Sequence, residues 1–414
     1  MALAFLRAIA IGCACLICAG SGARAAVGEP PPDPDLSTLG MRRAGPFRVQ
    51  PLFVLKDAGY DDNIRFDAQR AEGDATATTG AGLGALLLAA DRGGLRLFQE
   101  VDYVAFGKNT DLNHWNGDSR ARGILLVKRL VLSLEDHFTS VRERPSSEID
   151  QRVRRENNAL TAALRSIGKG RLGVRAYVRR ESIDYSSGEP GAEDVGDLLN
   201  RDENTLSVTG ELRVLPKTTF TLEGNVQRID FQDVGLGRNS RVQSILPGLR
   251  FDPSASVQGE FKVGVTTLEA PDQPQNRFHG TVGEGRLTTR LGHAARLKTS
   301  FDRSLIYSLA ANNLYFVSTN WTAAFEQFFS RRVSGEISYG RGLNHYPNEM
   351  TLTSPVPFQG IRDDRLTNYG ATIRCRINPE LSLVVSAQRL LRDSTDDGFD
   401  RERNLYAFGT TYNF

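Results

Sequence analysis

From Phe47 to the C-terminus, apolar and polar residues alternate over stretches of about eight to twelve positions, the period of two that belongs to extended strands. Leu206, Val208, Gly210, Leu212 and Val214 alternate with Ser207, Thr209, Glu211 and Arg213. Val257, Gly259, Phe261, Val263 and Val265 alternate with Gln258, Glu260, Lys262 and Gly264. The same pattern runs through 171–179 and 368–377. A chain patterned in this way has two folds open to it. In a soluble sandwich the apolar face is the interior, whereas in a membrane barrel apolar residues meet lipid and charged ones line the lumen. Alternation alone does not choose between them.

The connections argue for the barrel. Short links (91–94, 168–170, 216–217, 252–254, 292–294, 378–380) alternate with long polar ones (66–75, 108–117, 186–201, 269–277, 346–365), the asymmetry of short periplasmic turns and longer external loops. The segments predict about 18 strands of roughly 10 to 15 residues, an even number, with both termini periplasmic. The least determined place is 120–142, where 124–131 runs apolar with only Lys128-Arg129 to mark a turn.

The first residues have the features of a signal peptide. Arg7 is followed by an apolar run over 8–20 and by the small-residue cleavage site Ala23-Arg24-Ala25, so 1–25 are expected to be removed. A lipoprotein reading would need a lipidated Cys, and Ala10-Ile11-Gly12-Cys13 lacks the usual leucine. Cys13, Cys15 and Cys18 fall in that segment, leaving Cys375 as the single cysteine of the mature chain, so no intramolecular disulfide forms. Residues 26–46, with Pro30-Pro31-Pro32-Asp33-Pro34, read as a periplasmic lead-in, and 47–414 as the barrel. Neither apolar run, 8–20 or 80–90, has the ~20 residues a spanning helix needs. A net charge of +2 lacks the electrostatic footprint of a nucleic-acid binder.

The last residues, Asn404 to Phe414, place Tyr406, Phe408, Thr410, Tyr412 and Phe414 on one face. This resembles the closing strand of outer-membrane barrels, whose terminal aromatic is read by the barrel-assembly machinery; Phe414, Tyr412 and Phe408 are the expected signal.

Two stretches resemble the putative β-barrel porin 2 family. One is Gly45-Pro46-Phe47-Arg48-Val49-Gln50-Pro51-Leu52-Phe53 followed by Gly59-Tyr60-Asp61-Asp62-Asn63-Ile64. The other runs from Tyr369-Gly370-Ala371 through Arg392-Asp393-Ser394 to Arg403-Asn404-Leu405. The resemblance implies a bacterial outer-membrane barrel of about 18 strands associated with export of extracellular polysaccharide.

Charged side chains opposite the apolar faces are the candidate site, because Arg or Lys on the lipid face would cost about 2 to 4 kcal/mol near the midplane. They are Arg175, Arg179, Arg213, Arg250, Arg286, Arg290, Arg374 and Arg376, with Glu100, Glu211, Glu223, Glu260, Glu284, Asp302 and Glu336. As a structural set they neutralise one another across strands; as a functional set they form a surface that selects solutes. Gly168-Lys169-Gly170-Arg171-Leu172-Gly173 matches the dinucleotide-binding spacing but is followed by strand alternation, so it reads as a turn. Asp61-Asp62-Asn63 offers oxygen ligands without a complete calcium loop and reads as a solvated strand end. The five histidines are dispersed and nominate no metal centre or catalytic pair, so neither a cofactor nor an enzyme is expected.

These readings predict a passive outer-membrane conduit for an anionic or polar polymer, surrounded by outer-membrane lipid and working with periplasmic polysaccharide-export proteins. The alternatives are a structural or surface-presenting barrel with a closed lumen, and a general diffusion porin.

Overall fold

The computed structural model describes residues 41–413 apart from 68–69, 90–91, 145–147, 149–151, 167–169, 187–194, 311 and 353–357. The expected signal peptide, most of the 26–46 lead-in, Lys169 and Phe414 therefore lie outside the described residues. Eighteen long strands follow in chain order: β1 (Phe47–Asp61), β2 (Asp74–Leu88), β3 (Gly93–Phe106), β4 (His114–Val127), β5 (Leu130–Glu143), β6 (Val153–Ser166), β7 (Leu172–Ser186), β8 (Arg201–Leu215), β9 (Thr218–Phe231), β10 (Ser240–Phe251), β11 (Val257–Glu269), β12 (Phe278–Leu291), β13 (Ala295–Tyr307), β14 (Tyr315–Phe328), β15 (Val333–His345), β16 (Asp363–Arg376), β17 (Leu381–Ser394) and β18 (Arg401–Asn413). One short helix, α1 (Val195–Leu199), precedes β8.

Each strand pairs antiparallel with its neighbours in sequence, and β1 meets β18 from Leu52↔Asn413 to Asp61↔Leu405, closing the sheet into a barrel. A short strand, Arg42–Ala44, turns at Gly45 and pairs with Phe47–Val49, beyond the last β1–β18 partner. The closing seam is irregular at one point. Register shifts at Lys56-Asp57, where Asp57 adopts a left-handed φ of 51°, a bulge that bends β1. At its outer end Asp61 accepts two bonds from Arg403 at 2.9 and 2.6 Å, and Asp62 takes Asn404. Asp61 and Asn63 are buried, so the expected solvated strand end is a clamp: carboxylates facing the adjacent strand's donors gain more from pairing than from water.

The faces settle which of the two folds is present. On β8, Leu206, Val208, Leu212 and Val214 are 40–50% exposed, while Glu203, Thr205, Ser207 and Thr209 between them are at most 7% exposed. Apolar side chains point outward and polar ones inward, the inverse of a soluble protein. Strands of 12 to 15 residues, tilted as barrels require, span a hydrocarbon layer about 30 Å thick.

Lys128-Arg129 is indeed the turn between β4 and β5, with Lys128 in the left-handed region at φ 54°. Four of the five long loops are shorter than the sequence suggests, while the first, 62–73, is longer than the expected 66–75. His114 and Asp363 already belong to strands, because polar residues that leave the membrane go on pairing, as Asp363 does with His345.

If the long loops are external, a cysteine at Asp272 in a Cys375→Ala background should react with a membrane-impermeant maleimide in intact cells. One at Pro253, in a short turn, should react only after the outer membrane is permeabilised. The reverse labelling would invert the orientation.

Candidate functional site

The lumen wall holds its charges in lattices that cross several strands. In the largest, Glu211 on β8 accepts two bonds from Arg250 on β10 at 2.9 and 2.8 Å and forms an ion pair with Arg175 on β7 at 2.5 Å. Arg175 also stands 3.7 Å from Glu260, which links it to Lys262 on β11. The Lys262 ammonium lies 2.9 Å from Glu223, 3.3 Å from Glu284 and 3.5 Å from Glu260, with only 2% of its side chain exposed. Alternation places these groups on one face, and antiparallel register brings them level, as in Glu260↔Arg286 and Lys262↔Glu284.

A second lattice sits on β13 to β16, where Lys298 lies 3.0 Å from Glu326 and 2.7 Å from Glu336, with Arg374 3.8 and 3.6 Å from the same two carboxylates. Across the barrel Lys56 joins Glu100 at 2.5 Å and Asp102 at 2.8 Å, and Arg122 pairs with Glu135. Arg179 meets Glu181 at 2.8 Å, and Asp302 accepts from Ser304 at 2.8 Å. Arg213, Arg290 and Arg376 stand apart from these lattices, on the last residues of their strands beside short turns; Arg290 donates to the Pro253 carbonyl at 3.2 Å. Tyr412 lies on β18 opposite Phe53, and Phe408, 38% exposed, faces outward.

Charges of both signs are thus paired rather than presented as a cationic ring. Replacing Arg374 with Glu would leave three carboxylates around Lys298. It should move ion preference toward cations in a conducting barrel, weakening near 1 M salt, where the Debye length is about 3 Å. An unchanged reversal potential would show that this lattice does not face the conducting path.

The outer mouth is bridged. β13 pairs with β12 only up to Arg303, and β14 pairs with β15 only from Val317, so the top of the β13–β14 hairpin is joined to neither wall. Its two legs still pair with each other up to Tyr307↔Tyr315. Both faces of this hairpin top are buried: Leu305, Tyr307 and Tyr315 on one, Ile306 and Phe316 on the other. A hairpin standing above the membrane would leave one face in water; this one turns into the lumen.

One face packs on Ile183, Phe231, Val242 and Leu268 of the wall and on Val195 and Leu199 of α1, with Phe231 edge-on to Tyr307 at 5.1 Å. The other meets Tyr346 and Met350 from the 346–362 loop, so that expected external loop is drawn inward too.

The tip reaches the far wall. Ser308 Oγ and the Leu309 N–H donate to the Glu148 carboxylate at 2.5 and 2.8 Å, and Glu148 belongs to the β5–β6 connection, eight strands around the eighteen-stranded ring. Arg238 donates to the Ser308 carbonyl, and Tyr307 and Ser240 hydroxyls lie 2.8 Å apart. Burial raises the Glu148 carboxyl above its ordinary range and pushes the Arg238 guanidinium down to about 10. Arginine–aromatic stacking holds the surrounding loops, with Arg362 3.6 Å above the Phe399 ring and 5.0 Å from Tyr346.

The arginines and acids singled out in the sequence leave out the lysines Lys262, Lys298 and Lys56, and Glu326 among the acids. The signal was present for Lys262 and Lys298, which occupy polar positions in alternating strands, whereas Lys56 and Glu326 follow the apolar runs 52–55 and 323–325. The mouth hairpin was signalled by two runs without alternation, Leu305-Ile306-Tyr307 and Leu314-Tyr315-Phe316-Val317. Apolar residues on both faces of a strand require cover on both.

A family described as putative beta-barrel porin 2 matches residues 33–414. Among solved structures, OccK2 (OpdF) of Pseudomonas aeruginosa aligns over 88% of this chain and 97% of its own, at 11% identity and a TM-score of 0.51. The siderophore receptor PirA of Acinetobacter baumannii aligns over 90% and 81%, at 8% identity and a TM-score of 0.44. At such identities the OccK2 likeness carries the barrel fold alone. No curated protein matches the chain.

Proposed function

The chain belongs to the putative beta-barrel porin 2 family, and from that premise we propose that it is a gated outer-membrane channel for a hydroxyl-rich polymer, serving export of extracellular polysaccharide. The observation that carries the reading is the lumen wall: paired charges of both signs interleaved with Ser300, Asn320 and Thr322, all inward and partly exposed on adjoining strands. Such a wall offers donors and acceptors to sugar hydroxyls while presenting little net field, which suits a polar cargo better than a small ion. The mouth hairpin is the gate. Periplasmic export proteins would deliver the polymer from below, and the barrel-assembly machinery would insert the chain through its terminal aromatics.

Removing the protein from cells that make an extracellular polysaccharide should trap polymer in the periplasm; undiminished surface polymer would remove the export reading. A second reading, a structural barrel with a closed lumen, is favoured by the bridged mouth itself. Planar-bilayer recording separates the two, because a structural barrel shows no channel even after its hairpin is cut.

A further inference from the structure

Among the described residues, one outward-facing carboxylate in the middle of the wall has no partner. On β5 the outward series runs Leu130, Leu132, Leu134, Asp136, Phe138, with Leu134 55% and Phe138 37% exposed. Asp136 is six residues from Leu130 and six from Arg142 in the same strand. At about 2.5 Å of height per residue in a tilted strand, it stands roughly 15 Å from either level, in mid-hydrocarbon.

It is exposed and makes no hydrogen bond or ion pair among the described residues. Its cross-strand neighbours offer nothing: Ala121 on β4 and Leu160 on β6. Outward carboxylates elsewhere are provided for, as Glu402 is by Arg389 at 2.7 Å and Asp230 by Arg228 at 3.0 Å. An unpaired ionisable group inside the bilayer is costly and marks a site where something meets it.

The same row carries a candidate answer. Leu160 is opposite Asp136 on one side and Arg180 of β7 on the other, and the Arg180 side chain, 72% exposed, also points outward, with Asp202 at 3.6 Å. The order Asp136, Leu160, Arg180 is self-complementary. A twofold axis along the membrane normal beside Leu160 would set each Asp136 against the Arg180 of a second copy, twice, by one isologous contact. The row climbs about 6 Å over its two strand spacings, which the long arginine side chain spans. Gly117, Ser119, Ala121 and Gly123 on β4 keep the surface beside Asp136 low, as close approach of two walls in lipid requires.

We propose that the outward face of β4 to β7 is a self-association surface, and that its occupant is a second copy of this chain, held by reciprocal Asp136–Arg180 pairs within the membrane.

The test uses the full-length protein in outer membranes, in a Cys375→Ala background. Leu160→Cys, on the axis, should form disulfide-linked dimers at least about tenfold more than Val385→Cys, an outward position on β17. Asp136→Arg should weaken the dimer at least about tenfold, and adding Arg180→Asp to the same chain should restore it by exchanging the charges. Equal cross-linking at the two positions, cross-linking of Leu160→Cys only to a different protein, or a charge exchange that restores nothing would each overturn the proposal. Should Asp136→Arg fail to insert, the Leu160→Cys comparison decides on its own.

Discussion

Replacing Lys262 with Met should destabilise the barrel by about 3 to 5 kcal/mol, the loss expected when one member of a buried ion cluster is removed and its partners stay. Lys262 is the shared cation of Glu223, Glu260 and Glu284, and Glu223 is only 1% exposed. Methionine keeps most of the volume, so the effect reports charge rather than packing. A urea titration of the refolded protein, read as the loss of heat-modifiable mobility, measures it. Adding Glu223→Gln should return part of the loss, because one uncompensated carboxylate then disappears. A Lys262→Met variant that unfolds at the wild-type midpoint would mean that water reaches these carboxylates and that the lattice contributes little.

The other large effect is on current. Ser304 and Ser318 are register partners at the neck of the inward hairpin, so 305–317 can be replaced with Asn-Gly, a pair suited to a tight two-residue turn. The excised segment carries Leu305, Tyr307, Tyr315 and Phe316 and the reach to Glu148, and its removal takes only the terminal Val317↔His345 pair from the β14–β15 ladder. The native barrel should conduct rarely in a planar bilayer. The shortened one should show a stable channel, with time-averaged current raised at least about tenfold. A folded, shortened barrel that stays silent would leave only the closed structural reading.

The strand ladder was legible in the sequence because a period of two, read against lipid, leaves few choices: the count of 18 and the Lys128-Arg129 turn both stand. What escaped was whatever depends on partners far apart in the chain. Arg175, Glu211 and Arg250 are evident as inward charges, but that Glu211 receives both arginines follows only from register across β7 to β10. Asp61 looks like a strand end in water until Arg403 stands beside it. The inward fold of 304–317 was hidden for another reason. Its non-alternating runs indicate that both faces need cover, while the covering surfaces, Phe231, Leu268 and Tyr346, come from distant strands and loops.

The seam between β1 and β18 bears on the order in which this barrel forms. Every other long strand pair joins consecutive segments and can close as a local hairpin, whereas Arg403 and Asp61 are 342 residues apart in sequence. Loop-closure entropy and contact order place such a pairing late, after the hairpins that carry its two edges into reach. The bulge at Lys56-Asp57 interrupts the ladder at this same junction, and Arg42–Ala44 occupies the stretch of β1 that β18 does not reach. The seam is therefore the slowest bond line to make and the first to part, and substitutions in its Asp61–Arg403 clamp act on the rate of ring closure more than on the seventeen hairpin pairings already in place.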